Sequence, residues 1–454
     1  MNITLVNPPP RRIIEYGDAP DHPHLGLGYV AGFAISRNIE CAVIDAKFEA
    51  VGLGEVQSRL YRQKPDVVGI TAMTHEIVQA DKVAKIAKQI SPQTITVVGG
   101  PHATALPSQT LVEFPSFDIV VFGEGEYTFF ELITAIEKQE GLEGIRGIGY
   151  RKTNDVQLNG PREPIKDLDQ LPFPAWDLFP KSDTYPVTTT RGCPFRCNFC
   201  MRVLGSKVRK RSPPKIVEEL QMDIGVYNAR FIRVADEVFA IDKKYAHEIL
   251  DLLIEKGLHK KIGWDTVTRV DLVDYDLLKK IKAAECSWLG FGVESGNEEI
   301  LKASKKGITL EQVTKAIKMA KKAGLKTGSF FILGHPFETR KTAQDTIKFA
   351  TKLNTDTVAF GIMVPYPGTE IYEMAKKGEG GYKIISADWA DYNKTIGNSL
   401  ELETLSRKEL ERLELLAYLR FYLFNYRFLD LAKLFLNQRR VVLTAIKKLI
   451  GRGR

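Results

Sequence analysis

The chain has 454 residues, 44% of them hydrophobic and 26% charged, with a net charge of +8 at neutral pH. That length suggests about three domains with ample buried core, and the composition excludes a disordered or fibrous chain. Five cysteines in so long a chain exclude a disulfide-stapled scaffold, and the charge is uneven, because residues 416–454 carry nine Lys/Arg against Asp430 alone and so hold the whole excess.

Met1-Asn2-Ile3-Thr4 leads straight into a strand-like run without a basic leader. No apolar run approaches the ~18 residues that a membrane-spanning helix needs. A reducing, cytoplasmic setting is the expectation. Residues 1–150 alternate short apolar runs with amphipathic stretches, the pattern of a doubly wound α/β sheet. Strands are predicted at 3–6, 42–45, 67–70, 94–98 and 119–122, with helices at 27–36, 55–61, 77–90 and 127–136. Ligands in such sheets bind beyond the carboxyl ends of the strands. Those ends hold Asn7-Pro8-Pro9-Pro10, then Thr71 and Thr74, then Gly99, Gly100 and His102, then Gly123 and Glu124. Each loop alone is explained by tight-turn chemistry; four together favour a binding rim.

Residues 151–184 are polar and proline-punctuated, which predicts a linker, with Phe173, Trp176 and Phe179 packing it down. From 185 to 380, strand-like runs recur at 187–190, 231–235, 262–268, 288–293, 327–333 and 357–364 with helical stretches between. Six β/α units fit a partial TIM-type barrel, whose reactive face lies at the strand C-termini. Behind the first of them stands RGCPFRCNFC, with Cys193, Cys197 and Cys200 in a C-x3-C-x2-C spacing. Thiolates are the ligands of zinc and of iron–sulfur clusters. Structural zinc sites use two ligand hooks, and here the other cysteines, Cys41 and Cys286, stand alone. Three local ligands leave one metal position open to an exogenous molecule. Later strand ends carry Asp236 and Glu237, Arg269, then Glu294 and Ser295; each is read either as a ligand contact or as a solvated surface charge. Gly334, His335 and Tyr366 follow on the same rim.

Residues 381–454 turn helical, with periodic apolar stretches at 402–424 and 429–450. A basic, aromatic-rich tail can lie in a membrane interface or cap the barrel with a solvated basic face; the cap is the preferred reading.

The cysteine loop resembles that of radical S-adenosylmethionine (SAM) enzymes, including the aromatic Phe199 before the last cysteine. The resemblance implies a [4Fe–4S] cluster on the three cysteines, SAM on the fourth iron, and cleavage of SAM to a 5′-deoxyadenosyl radical. GFGVESGN resembles the family's strand-four motif, whose acid meets SAM, here Glu294. FFILGHPFET resembles its strand-five motif beside the adenine, with Gly334. Asp236, Glu237, Arg269 and Ser295 complement the ammonium, carboxylate and hydroxyls of SAM. VGGPHAT and FGEGE resemble the cobalamin-binding domain that precedes the barrel in one subclass. By that likeness Thr71, Thr74, Gly99, Gly100 and His102 line the nucleotide tail of cobalamin, with Gly123 and Glu124 on the same rim. The D-x-H-x-x-G motif is missing, which leaves cobalt without a protein histidine below it. The layout resembles the branch containing anaerobic magnesium-protoporphyrin ester cyclase and hopanoid-modifying enzymes.

The implied activity is methylation of an unactivated carbon in a small-molecule or lipid-like substrate, with flavodoxin or ferredoxin as electron donor. Ring closure, rearrangement or dehydration without methyl transfer is the alternative in the same class. A tRNA-modifying enzyme is the alternative in another class. It is disfavoured because the N-terminal domain has only Cys41 and the tail reads helical rather than as a β-barrel RNA module.

Overall fold

The computed structural model describes residues 1–11, 20–152, 155–394 and 397–437. Five parallel strands, β1 (Ile3–Asn7), β2 (Ala42–Asp45), β3 (Val67–Thr71), β4 (Ile95–Gly99) and β5 (Ile119–Val121), build the first sheet. An antiparallel hairpin, β6 (Ile148–Lys152) and β7 (Asp155–Leu158), completes it in the order β2-β1-β3-β4-β5-β6-β7. β1 and β3 are buried along their whole length, as parallel strands covered by helices on both faces must be. The direction of winding reverses between β1 and β3, which opens a crevice at their carboxyl ends. The predicted strands all form within a residue or two. The hairpin extends this sheet to Leu158, into the segment expected to be linker.

The linker proper lies across both domains. Trp176 packs on Phe179 and Tyr185 with ring centroids 5.5 and 5.6 Å apart, and Ala175 N–H donates to Gly28 O at 3.0 Å. This contact needs glycine on the helix Leu25–Ile35. A Cβ at Gly28 would stand 2.7 Å from the Trp176 ring, and one at Gly32 would stand 2.4 Å from the Phe173 carbonyl oxygen. A single apolar core therefore runs from Leu27 and Phe129 through Trp176 and Tyr185 into the second domain.

That domain begins with β8 (Thr184–Val187), followed by a short antiparallel ribbon of β9 (Thr190–Arg191) and β10 (Arg209–Lys210). Strands β11 (Phe231–Val234), β12 (Gly263–Thr268), β13 (Cys286–Glu294), β14 (Thr327–Leu333) and β15 (Thr357–Ile362) then line up in sequence order beside β8. All six are parallel, and β8 and β15 are the two edges, so the barrel is open. The intervening helices start on side-chain caps from Ser212, Asp242, Asp274, Thr309, Thr339 and Thr369, each satisfying an otherwise orphaned backbone donor. β8 lies three residues earlier than expected. The β-branched run Thr188-Thr189-Thr190 reads as a continuation of this strand, but its amides and hydroxyls bind Asp236, and only Thr190 is in a strand, the ribbon strand β9.

The C-terminal region is not wholly helical. β16 (Tyr382–Ile384) and β17 (Leu400–Leu402) pair first, and then Ser406 caps the helix Arg407–Phe424. Tyr418 on this helix accepts from Phe360 N–H at 3.0 Å and donates to Phe360 O at 3.1 Å, covering the exposed edge of β15. This part of the tail is therefore a cap on the barrel. A last described helix spans Phe428–Asn437; the rest of the predicted 429–450 helix lies outside the described residues.

Candidate active site

The cysteine loop is closed at its base by the β9–β10 ribbon and fixed from three sides. Gly192 has φ +95, and a Cβ there would stand 2.2 Å from Lys207 O, so only glycine fits before Cys193. Cys193 N–H donates to Gly205 O at 3.1 Å, and Cys200 N–H donates to Cys197 O at 3.2 Å. Buried Asn198 staples the loop to the end of the helix Glu298–Ala303 that follows β13, through its N–H to Ser304 O at 3.2 Å and its Nδ2 to Ala303 O at 2.9 Å. Cys193 and Cys197 are half-buried and Cys200 is exposed.

Among the described residues no three His, Cys, Asp or Glu side chains converge as a single-ion site. In a four-iron cluster each cysteine would serve a different iron, so such a site would not need the three sulfurs to converge on one ion. Although Cys200 as a residue is exposed, desolvation by the surrounding protein, then the Cys197 and Cys193 sulfurs, push its thiol up to about 11. Burial also raises Cys197, while Lys306 and Arg269 pull it back. Three cysteine sulfurs on one short loop suit a multi-iron cluster, which binds them as thiolates.

The acid at the end of β13 is set by a bulge. Pairing with β14 shifts register between Gly292 and Glu294, and Glu294 adopts φ +71. Its Oε1 accepts from the buried Lys306 Nζ at 2.8 Å. Gly292 makes room, since a Cβ there would stand 2.6 Å from Glu294 Oε1. Gly334, with φ +91, begins the loop after β14. Its N–H and that of His335 both donate to Glu338 Oε2, the latter at 3.2 Å, and Tyr382 donates to Gly334 O at 3.1 Å. His335 is fully buried, its ring 5.8 Å from that of Phe199. Burial pushes it down to about 4, so it is a neutral imidazole beside the cysteine loop. Glu237 is exposed at the barrel mouth, where partial desolvation raises its carboxyl against the pull of Gly192 N–H.

Several side chains expected to face ligands are spent on the protein itself. Asp236 collects the Thr188–Thr190 turn, with Oδ1 accepting from Thr189 N at 2.6 Å and Thr190 N at 3.1 Å. Ser295 bonds Thr346 Oγ1 at 3.0 Å and accepts from Asn297 N–H at 3.2 Å. Glu124 accepts from Arg191 at 2.8 Å, Arg209 at 2.6 Å and Ile165 N–H at 2.8 Å, so its carboxylate joins the domains. Arg269 is enclosed by Asp271, Lys306 O, Phe195 and Cys197. Partnership was not readable from strand-end position, which a clamp and a ligand contact share.

At the first sheet, Thr71 and Thr74 are buried at the end of β3. Gly100 has φ +93, and a Cβ there would stand 2.9 Å from Ala72 N, so this glycine serves the turn. Gly99 and Gly123 are different. A Cβ at Gly99 would meet nothing closer than 3.7 Å and one at Gly123 nothing within 4 Å. Gly123 leaves open space, and Gly99 at the adjacent strand end is in ordinary contact with Val121, so together they keep this part of the rim free of side chains. His102 beside it is 1% exposed, both ring nitrogens lack protein partners, and Trp389 covers it with ring centroids 5.1 Å apart. A crevice of glycines and buried hydroxyls fits a large, amide-rich ligand such as cobalamin.

The two sites adjoin. A Cβ at Gly368, in the loop after β15, would stand 3.3 Å from Ala105 Cβ on the rim of the first sheet and 3.5 Å from Met201 Cγ next to Cys200. Tyr366 in that loop packs into the core of the first domain instead of lining the barrel. Residues missed from sequence are Arg191, Glu126, Asn198, Lys306 and Glu338. Lys306 sits in SKKG, which reads as surface, while the GEGE string did place an acid at Glu126.

The Radical SAM superfamily matches residues 187–350, and the B12 binding domain matches residues 18–133. The chain is 37% identical over 432 residues to an uncharacterized methyltransferase of Pyrococcus horikoshii, covering 93% of each. It is 30% identical over 429 residues to the anaerobic magnesium-protoporphyrin IX monomethyl ester cyclase of Rubrivivax gelatinosus, covering 91% of this chain and 76% of that one. The solved structure of the radical SAM methyltransferase TsrM from Kitasatospora setae, with cobalamin and a [4Fe–4S] cluster bound, shares the fold. Its TM-score is 0.74 at 16% identity, over 93% of this chain and 90% of that one. Likeness along nearly the whole length, with both domains in the same order, makes this chain a member of the cobalamin-dependent radical SAM methyltransferase family, which works with a [4Fe–4S] cluster, SAM and cobalamin.

Proposed function

We propose that the protein transfers a methyl group to an unactivated carbon of a small or lipid-like substrate held between the two sites. The observation that carries this reading is the junction at Gly368, where the rim of the first sheet and the cysteine loop come within side-chain reach. When bound, the cluster supplies the electron that splits SAM, and cobalamin supplies a carrier for the methyl group. The protein holds these parts. Cys193, Cys197 and Cys200 are the cluster ligands; Glu237 and the Glu294–Lys306 pair suit the polar groups of SAM, with the Gly334 loop, braced by Glu338 and Tyr382, beside them; Gly99 and Gly123 keep the cobalamin rim free of side chains. Phe199 and neutral His335 present an uncharged wall that does not compete for protons. A one-electron donor of the flavodoxin or ferredoxin class completes the system.

Anaerobic purification with iron, sulfide and hydroxocobalamin, followed by incubation with SAM and a reductant, tests the proposal. Formation of both 5′-deoxyadenosine and S-adenosylhomocysteine supports methyl transfer. Deoxyadenosine alone supports ring closure or rearrangement instead, the reading favoured by the 30% identity to a cyclase.

A lipid-like substrate would agree with the exposed apolar residues Phe424, Tyr426, Phe428 and Leu429 beside the basic tail. No described helix is long and apolar enough to cross a membrane. Co-sedimentation with anionic but not neutral vesicles is the expected result of a peripheral contact, and absence of binding to both removes it.

A further inference from the structure

Arg269 ends β12 on the reactive face of the barrel, where its charge suits the carboxylate of SAM. The structure leaves it no such freedom. Nε and Nη2 each donate to a carboxylate oxygen of Asp271 at 3.0 Å, and Nη2 also donates to Lys306 O at 2.9 Å. The Phe195 ring from the cysteine loop lies 3.6 Å from the guanidinium carbon. The remaining nitrogen, Nη1, is directed at Cys197 Sγ, 3.9 Å away. The side chain is almost fully buried at 4% exposure, so water does little to screen its charge.

We propose that Arg269 is a positioning residue of the iron–sulfur cluster: it holds the cysteine loop through Phe195 and places a fixed cation on Cys197 that favours the reduced cluster. Hydrogen bonds to ligand sulfur and nearby charge are the levers by which a protein sets a cluster's potential. In the step concerned, one electron passes from a low-potential donor to the cluster, and no bond forms or breaks. The cluster gains one negative charge, and a cation beside Cys197 lowers the cost of that gain. Asp271 works the other way, because its carboxylate opposes the added electron while orienting the fork. A SAM ligand would need an open donor edge; Arg269 has its edges closed by Asp271 and Lys306 and one face by Phe195.

The inference rests on the assignment of Cys193, Cys197 and Cys200 to the cluster. Iron and sulfide content of the reconstituted wild-type chain is measured first, so failure of that assignment is seen separately. Anaerobic redox titration of the full chain, followed by the electron paramagnetic resonance of the reduced cluster, then compares wild type with Arg269→Gln, Arg269→Lys and Asp271→Asn. For Arg269→Gln the reduced-to-oxidised ratio at fixed potential is expected to fall at least tenfold, a downward shift of about 59 mV for a one-electron couple. Arg269→Lys keeps the charge but loses the fork, and falls between. Asp271→Asn is expected to shift the potential upward. SAM affinity of Arg269→Gln, read by equilibrium binding to the oxidised cluster, stays within about twofold of wild type. An unmoved potential with tenfold weaker SAM binding would return Arg269 to SAM and overturn the proposal. So would shifts of the same sign in Arg269→Gln and Asp271→Asn, which report a disturbed loop rather than charge. If Arg269→Gln fails to hold iron, Asp271→Asn decides alone: a rise supports the proposal, and a fall or no change refutes it.

Discussion

Replacing Arg191 with methionine tests how the cysteine loop is tied to the first domain. Arg191 stands two residues before Cys193, and its guanidinium spans Glu124 Oε1 at 2.8 Å and Glu126 Oε1 at 2.7 Å, with all three side chains about 6% exposed. The two acids are not equally dependent on it. Glu124 also holds Arg209 and Ile165 N–H, whereas the described hydrogen bonds give the Glu126 side chain only Arg191. The N-terminus of the helix Gly125–Glu137 favours the Glu126 charge but does not replace a guanidinium. Stranding a buried charge costs about 3–5 kcal/mol, and this substitution strands chiefly one. A loss of about 3 kcal/mol is expected in anaerobic urea unfolding, together with fewer irons retained per chain after desalting. The double variant Arg191→Met/Glu126→Gln should recover at least half of the loss, because the stranded charge is gone. A single variant that loses under about 1 kcal/mol, or a double variant no better than the single, would show that the pair is solvated and the argument from burial is wrong.

Three further perturbations follow from the same geometry. Gly192→Ala forces a Cβ against Lys207 O at a positive φ; a cost of about 1–3 kcal/mol should fall on the loop, seen as lower iron and sulfide content with far-ultraviolet circular dichroism unchanged. Burial pushes Glu338 up to about 7 from its ordinary 4.5, so the folded chain keeps a proton that the unfolded chain has released, and stability falls as pH rises from about 5 to 8. Glu338→Gln retains an acceptor for both backbone N–H groups and should remove roughly 2–3 kcal/mol of that fall, read as a flatter pH dependence of the urea midpoint. Tyr418→Phe removes both hydroxyl bonds to Phe360; a loss of about 1–2 kcal/mol and concentration-dependent light scattering from the uncovered edge of β15 are expected.

The buried parallel strands were legible because strands covered on both faces are short apolar runs with Gly or polar residues at their ends. Antiparallel β6 and β7 were not, since their described residues are mostly polar and the end of β6 and most of β7 face solvent. The Thr188–Thr190 run has strand propensity, but a buried carboxylate 46–48 residues further on took its hydrogen bonds. Cys193, Cys197 and Cys200 stand out in the sequence because the three lie within one short segment. Charged residues at strand ends were not, because Glu124, Asp236 and Arg269 find their partners on other elements. Lys306 acquires its meaning only when a bulge at the end of β13 swings Glu294 onto it.

The contact at Gly368 carries a consequence for how the two sites are joined. The loop that crosses from the rim of the first sheet to the cysteines touches both through a residue with no side chain at all. With φ +80 and a Cβ position only 3.3 Å from Ala105 Cβ, this residue lets the loop pass close to the rim of the first sheet. A side chain there would be strained by the positive φ and would press first on Ala105, so this linking loop would yield on the side of the first sheet while its contact with Met201 stayed ordinary.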